Sequence, residues 1–90
     1  MMKNKRNRSR LEIIAKILNV ARDATRKTNI MYQANLSFRQ TERYLNFLIE
    51  KGLLGLTTDE DGNLIYETTQ KGVLFLKNFS EIERSLLGPR

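Results

Sequence analysis

The sequence contains no cysteine and no histidine. Without cysteine there is no disulfide bond, no thiolate nucleophile and no sulfur-ligated zinc or iron. Without histidine the chain lacks the commonest general base and the commonest metal ligand. Its carboxylates are either scattered or grouped in one short acidic segment, so no acid–base pair is evident. We therefore expect no enzyme activity, no metal and no cofactor.

Long apolar segments are also missing. The longest apolar run covers residues 73–76, far short of the roughly 20 residues that a membrane span needs. The N-terminus is basic, but no apolar segment follows it, so a secretory signal does not fit. These features favour a cytoplasmic protein with no membrane partner and no small-molecule ligand.

The positive charge is concentrated at one end of the chain. Of the net charge of +6, residues 1–10 contribute +5, residues 11–58 contribute +3 and residues 59–90 contribute −2. Such asymmetry favours a polyanionic partner. A solvated basic tail that only improves solubility is the alternative.

The first signal of regular structure comes after a polar start. Residues 1–8 show no apolar period, which predicts a disordered basic arm. Ser9 and Glu12 have the spacing of a capping box. Apolar side chains then recur at helical spacing, which predicts a helix over residues 10–22. Its inner face is expected to hold Leu11, Ile14, Ile17, Leu18 and Ala21.

A short second helix is predicted next. Thr28 is expected to cap it at its start, and the helix should cover residues 29–34. Asn35 is expected to end it in the left-handed conformation. Its inward side chains are expected to be Ile30, Met31 and Ala34.

The third helix carries the strongest pattern in the chain. Ser37 and Gln40 form a second capping box, and Gly52 ends the apolar period, which predicts a helix over residues 37–51. Its inner face is expected to hold Phe38, Thr41, Leu45, Leu48 and Ile49. Two helices joined by so short a turn make a helix-turn-helix.

After Gly52 the period changes from helical to alternating. Residues 54–58 and 64–68 alternate around a turn segment that contains Asp-Gly, which predicts a β-hairpin. Thr69 then caps a last helix over about residues 69–87.

The predicted order is helix, helix, helix, hairpin, helix. We therefore expect a mainly α fold with a small β-hairpin, a winged helix-turn-helix, in which the hairpin is the wing. One domain over residues 9–87 would follow the arm, residues 1–8.

The outer face of the third helix suits the major groove of DNA. Arginine donates two hydrogen bonds to guanine, and glutamine or asparagine pairs with adenine. The alternative is that this face is an ordinary solvated helix surface that binds no DNA. For Phe47 the alternative is a half-buried position at the edge of the core. The base-reading candidates are Arg39, Gln40, Arg43, Asn46 and Phe47.

Phosphate contacts are expected from the arm and from helix starts, where cations and backbone amides attract anions. The tip of the wing is acidic (Asp59, Glu60, Asp61) and repels phosphate, so the arm is expected to supply the grip instead. The phosphate candidates are Lys3, Lys5, Arg6, Arg8, Arg10, Arg26, Lys27, Thr28, Ser37 and Tyr44.

The last helix has more apolar surface than one contact needs. One apolar stripe runs along it from Phe75 to Leu86. A second stripe, with Val73, Leu76 and Leu87, lies about 100° away around the helix. One stripe is expected to cover the domain and the other to meet a second copy, although a monomer with a fully wrapped helix is the alternative. The expected dimer contacts are Phe75, Phe79, Ile82 and Leu86.

Three segments resemble a known family: SRLEIIAKIL, TNIMYQANLSFRQTERYLNFLIEKGLL and TTQKGVLFL. They are similar to the archaeal winged helix-turn-helix family of predicted transcriptional regulators, which includes a small crenarchaeal chromatin-type DNA-binding protein. The resemblance spans residues 9–79. It implies a winged-helix fold, a dimer formed through the C-terminal helix and DNA binding by the helix that holds Arg39, Gln40 and Arg43. The acidic wing tip and the shorter last helix depart from the family pattern.

These features together predict a homodimeric protein that binds double-stranded DNA, associates with the nucleoid and regulates transcription. Two other functions remain open at this point. The winged-helix scaffold could bind another protein through Phe47 and the last helix, or the chain could be a chromatin protein without sequence preference.

Overall fold

The computed structural model describes residues 9–87. The helix, helix, helix, hairpin, helix order is confirmed. The elements are α1 (Arg10–Val20), α2 (Lys27–Ala34), α3 (Phe38–Glu50), β1 (Leu54–Thr58), β2 (Leu64–Thr68) and α4 (Gln70–Leu87). The arm predicted for residues 1–8 lies outside the described residues. No helix within residues 9–87 is long and apolar enough to span a membrane.

The start of α1 is the capping box that its sequence predicts. Ser9 Oγ accepts a hydrogen bond of 3.1 Å from the Glu12 amide, and Glu12 Oε1 accepts one of 3.1 Å from the Ser9 amide. The helix ends at Val20 rather than at residue 22. Leu11, expected on the inner face, is 52% exposed, and Ile13 is buried instead. Leu11 lies in the first turn at the edge of the buried arc, where no other element within residues 9–87 covers it.

The predicted cap of α2 is wrong. The helix begins at Lys27 with Arg26 in the N-cap position and without a side-chain cap, so Thr28 lies inside the first turn. The cause is a contact distant in sequence: Thr25 and Tyr66 exchange two backbone hydrogen bonds of 2.9 and 2.7 Å, which hold the chain extended until Arg26. The left-handed stop at Asn35 is confirmed (φ 56°, ψ 53°).

Capping also fixes the start of α3. Ser37 Oγ accepts from the Gln40 amide at 3.1 Å, and the Thr41 hydroxyl donates to the Ser37 carbonyl at 2.8 Å. On the inner face Ile49 is half-buried, but Phe38 is 61% exposed, which corrects the prediction. Phe38 stands in the first turn, at the margin of the core. The residues of this helix in the core are Thr41, Leu45 and Leu48.

The hairpin closes the domain. β1 and β2 pair antiparallel, with Leu56 opposite Tyr66, and the Thr68 hydroxyl donates a 2.6 Å hydrogen bond to the Leu18 carbonyl on α1. Thr69 Oγ1 accepts from the Gly72 amide at 3.1 Å and so caps α4 as predicted. A Cβ atom on Gly72 would lie 2.3 Å from the Leu53 carbonyl oxygen, so glycine is what lets α4 pack so closely on the start of the hairpin.

Candidate nucleic-acid interface

The five base-reading candidates share the outer face of α3. Because Thr41, Leu45 and Leu48 point into the core, the opposite side of the helix faces solvent. Arg39 and Arg43 make no ion pair with any residue in the range 9–87, so both guanidinium groups are available to a ligand. All five candidates are exposed: Arg39, Gln40, Arg43, Asn46 and Phe47.

Gln40 has a structural task in addition to its position on this face. Its Oε1 atom accepts a hydrogen bond of 3.0 Å from the Ser37 amide and completes the capping box. The side-chain carbonyl is therefore turned back toward the start of α3, and the Nε2 group keeps its two N–H donors for other partners.

Phe47 lies between the two predicted alternatives. It is 38% exposed, and its ring centre lies 5.6 Å from Nζ of Lys51, the C-cap residue of α3. The cation covers part of the ring, so Phe47 is an edge residue that still presents apolar surface to solvent. Tyr44, on the flank of the same face, is half-buried against the core.

The start of α1 lies beside this face. A groove of about 470 Å³ runs between them, lined by Arg10, Gln40, Arg43, Tyr44 and Phe47. The sequence places Arg10 with the basic arm and does not predict this proximity, because it depends on the tertiary arrangement that brings the start of α1 near the exposed face of α3. Arg10, the first residue of α1, therefore lies next to the base-reading candidates.

The cations at the start of α2 already have partners. Arg26 lies 3.6 Å from the Asp59 carboxylate, and Lys27 donates a hydrogen bond to Glu42. The bond to Glu42 raises the pKa of the Lys27 ammonium group above 10.5. Thr28 is exposed. A phosphate at this helix start would have to compete with two carboxylates of the protein itself.

The acidic wing tip is a folded turn. Asp59 Oδ1 accepts hydrogen bonds of 2.9 Å from the amides of Asp61 and Asn63. The Asn63 amide bond is the main cause that lowers the pKa of Asp59 below its usual 3.8, and Arg26 adds to it. Glu60 and Asp61 are exposed, so the tip presents negative charge at neutral pH.

The remaining phosphate candidates are not gathered into one site. The Ser37 hydroxyl oxygen accepts a hydrogen bond from the Gln40 amide and so caps α3. The other candidates, all in the arm, lie outside the described residues: Lys3, Lys5, Arg6 and Arg8. The structure thus brings Arg10 and Tyr44 to the face of α3 and leaves the start of α2 paired with acids.

The two stripes of α4 differ in burial. Leu76 is buried in the core, while Val73 of the same stripe is 41% exposed. In the other stripe, Phe75 and Phe79 are half-buried and stack with ring centres 6.0 Å apart, while Ile82 and Leu86 are 57% and 79% exposed.

Known proteins share this arrangement. The model of the winged helix-turn-helix family matches residues 7–86. An uncharacterized protein of Methanocaldococcus jannaschii is 32% identical over 76 residues, which are 83% of this chain and 73% of that protein. The crystal structure of Sso10a-2, a DNA-binding protein from Sulfolobus solfataricus, matches with a TM-score of 0.74 and 30% identity over 89% of this chain and 86% of that one.

A more distant structure shares the fold alone. MepR of Staphylococcus aureus, a transcription regulator of the multidrug efflux pump MepA, has a TM-score of 0.68 at 16% identity, over 86% of this chain and 60% of that chain. The matched family model covers α1 to α4 almost completely. The chain therefore belongs to the winged helix-turn-helix family.

Proposed function

We propose that this protein binds double-stranded DNA as a homodimer, inserts α3 into the major groove and regulates transcription. One observation carries the proposal: a helix capped at a fixed position presents to solvent the guanidinium groups of Arg39 and Arg43, which have no ion-pair partner among residues 9–87. The N-terminal half of the second helix of a helix-turn-helix is the part that reads base edges. The relative Sso10a-2, at 30% identity, is a DNA-binding protein, which supports the same ligand.

We assign the contacts with the phosphate groups of the DNA to the start of the chain rather than to the wing. The carboxylate of Asp59 is held within the wing turn and pairs with Arg26, and the charge of this tip repels phosphate. Arg10 lines the groove beside Arg43, so the basic arm begins next to the reading face. From there it can follow a phosphate backbone or enter the minor groove, as the basic N-terminal arm of a homeodomain does.

We assign the contact with a second copy of the chain to α4. Residues 81–86 are all exposed, so the last turns of this helix extend beyond the surface that covers the core. Ile82 and Leu86 continue the stripe of Phe75 and Phe79 into this exposed part. An apolar stripe of this kind is buried when two helices pair, and a dimer places two copies of α3 on successive turns of DNA.

A fluorescence titration tests the proposal. The full chain is added to a labelled duplex of mixed sequence over a series of salt concentrations. Because basic side chains displace counterions, the logarithm of the binding constant should fall linearly with the logarithm of the salt concentration. Absence of binding by the full chain at low salt would contradict the proposal.

A further inference from the structure

The capping box at the start of α3 limits what Gln40 can recognise. A glutamine reads adenine when Oε1 and Nε2 both point at the same base edge, one accepting from N6 and the other donating to N7. In this protein Oε1 is turned back to the Ser37 amide at 3.0 Å. The side chain can therefore reach a base only through its Nε2 donors.

The neighbours of Gln40 on this face offer the same chemistry. A guanidinium group carries five N–H donors and no acceptor, and neither Arg39 nor Arg43 has an ion-pair partner within residues 9–87. The first two turns of the exposed α3 face thus present donors from all three side chains. Asn46 comes a turn later and lies outside the N-terminal half that enters the groove.

The bases differ in what they offer such a surface. In the major groove guanine presents two acceptors, N7 and O6, and no donor, whereas adenine presents one of each, cytosine a donor, and thymine a single acceptor beside its methyl group. We propose that the N-terminal half of α3 reads guanine, and that Gln40 is a specificity residue fixed as a donor by its own helix cap. This inference rests on the proposed function, because it concerns the DNA that the same face would bind.

Gln40→Glu is the variant that changes the recognition of bases by α3 without removing the cap of the helix. Glutamate at this position also completes a capping box, so the helix start should be preserved. Its second carboxylate oxygen then replaces a donor with an acceptor, which suits the N4 amino group of cytosine. Gln70→Glu makes the same change of charge at an exposed position of α4 and is the matched control.

The experiment is selection of duplexes from a random pool at one fixed salt concentration, with the wild-type chain and both variants. We expect the wild type and Gln70→Glu to select the same guanine-containing site. Gln40→Glu should select cytosine in place of guanine at one position. Changing that guanine to adenine should weaken wild-type binding roughly tenfold. A thermal melt followed by circular dichroism checks that Gln40→Glu is folded.

The outcomes distinguish this inference from the proposed function. Adenine or thymine at the selected positions, binding without base preference, or an unchanged site for a folded Gln40→Glu would overturn the inference and leave DNA binding intact. If Gln40→Glu does not fold, the wild-type site alone decides between guanine and adenine. If the wild type retains no duplex at low salt, the proposed function itself is overturned.

Discussion

The ammonium group of Lys27, the first residue of α2, donates a hydrogen bond to the carboxylate of Glu42 in the second turn of α3. The same Nζ atom lies 5.2 Å from the centre of the Phe38 ring. One cation therefore joins the two helices of the helix-turn-helix at their facing ends. The contact helps to fix the angle between α2 and α3. It also makes the positive charge of Lys27 less available to a nearby phosphate.

The pair of Lys27 and Glu42 should contribute modestly to stability. A double-mutant cycle with Lys27→Met and Glu42→Gln should give a coupling energy of about 0.5–1 kcal/mol in urea unfolding, because both side chains are only partly buried. The raised pKa of Lys27 means that this coupling is present at neutral pH and is lost as the pH rises from 10.5 through the higher folded value. The control is a second cycle that combines Lys27→Met with Glu50→Gln, which removes a carboxylate at an exposed position of α3. Zero coupling at neutral pH would show that the pair contributes nothing.

The wing turn should respond to acid at an unusually low pH. Because hydrogen bonds from Asn63 lower the pKa of Asp59, its carboxylate stabilises the turn at pH values above 3.8, and this contribution disappears as the pH falls through the lower folded pKa. Carbon-13 NMR of the Asp59 carboxyl group should show a titration midpoint below pH 3.8, and the amide of Asn63 should lose protection from hydrogen exchange below that midpoint. A midpoint at 3.8 or higher would contradict the hydrogen bonds described for this turn.

Deletion of residues 1–8 should weaken binding to all duplexes alike. In the proposed complex the basic residues of this segment displace counterions from the DNA without contacting particular bases, so their loss should also flatten the dependence of binding on salt. The truncated chain keeps Ser9 and with it the cap of α1. Titration of two unrelated duplexes at several salt concentrations measures both effects. An unchanged salt slope would assign the grip to another part of the protein.

Charged substitutions on α4 should change the oligomeric state. Ile82→Glu or Leu86→Glu places a carboxylate in the apolar stripe proposed as the dimer contact, and each should weaken self-association roughly tenfold or more, since a buried Ile or Leu contributes about 1.5–3 kcal/mol. Ser80→Glu adds the same charge at an exposed position outside that stripe and should have little effect. Sedimentation equilibrium over a range of concentrations measures the association. A wild-type chain that is monomeric at every concentration would overturn the dimer proposal.

The parts of the fold that sequence predicts correctly depend on local signals. The capping boxes of Ser9 and Ser37 satisfy backbone groups within one turn, so the residues involved are neighbours in the chain as well as in space. The hairpin follows from strict alternation on either side of Asp-Gly, and Asn35 adopts the left-handed conformation that its short side chain tolerates.

The errors arise where distant segments decide the outcome. Thr28 does not cap α2, because the pairing of Thr25 with Tyr66 sets the start of the helix. Helical periodicity gives the direction of Leu11 and Phe38 but not how far the neighbouring elements extend over them. For the same reason the groove between Arg10 and α3 is absent from the sequence-based account.

Paired alanine variants test most directly whether the exposed face of α3 binds the DNA. Arg39→Ala with Arg43→Ala removes two exposed cations from the reading face, while Lys16→Ala with Lys77→Ala removes two from the groove between α1 and α4. On the duplex selected by the wild type, at fixed salt, each arginine change should cost about 1–3 kcal/mol and relax base preference. The lysine pair should leave base preference unchanged and cost far less. Equal losses for the two pairs, with base preference retained in both, would contradict the claim.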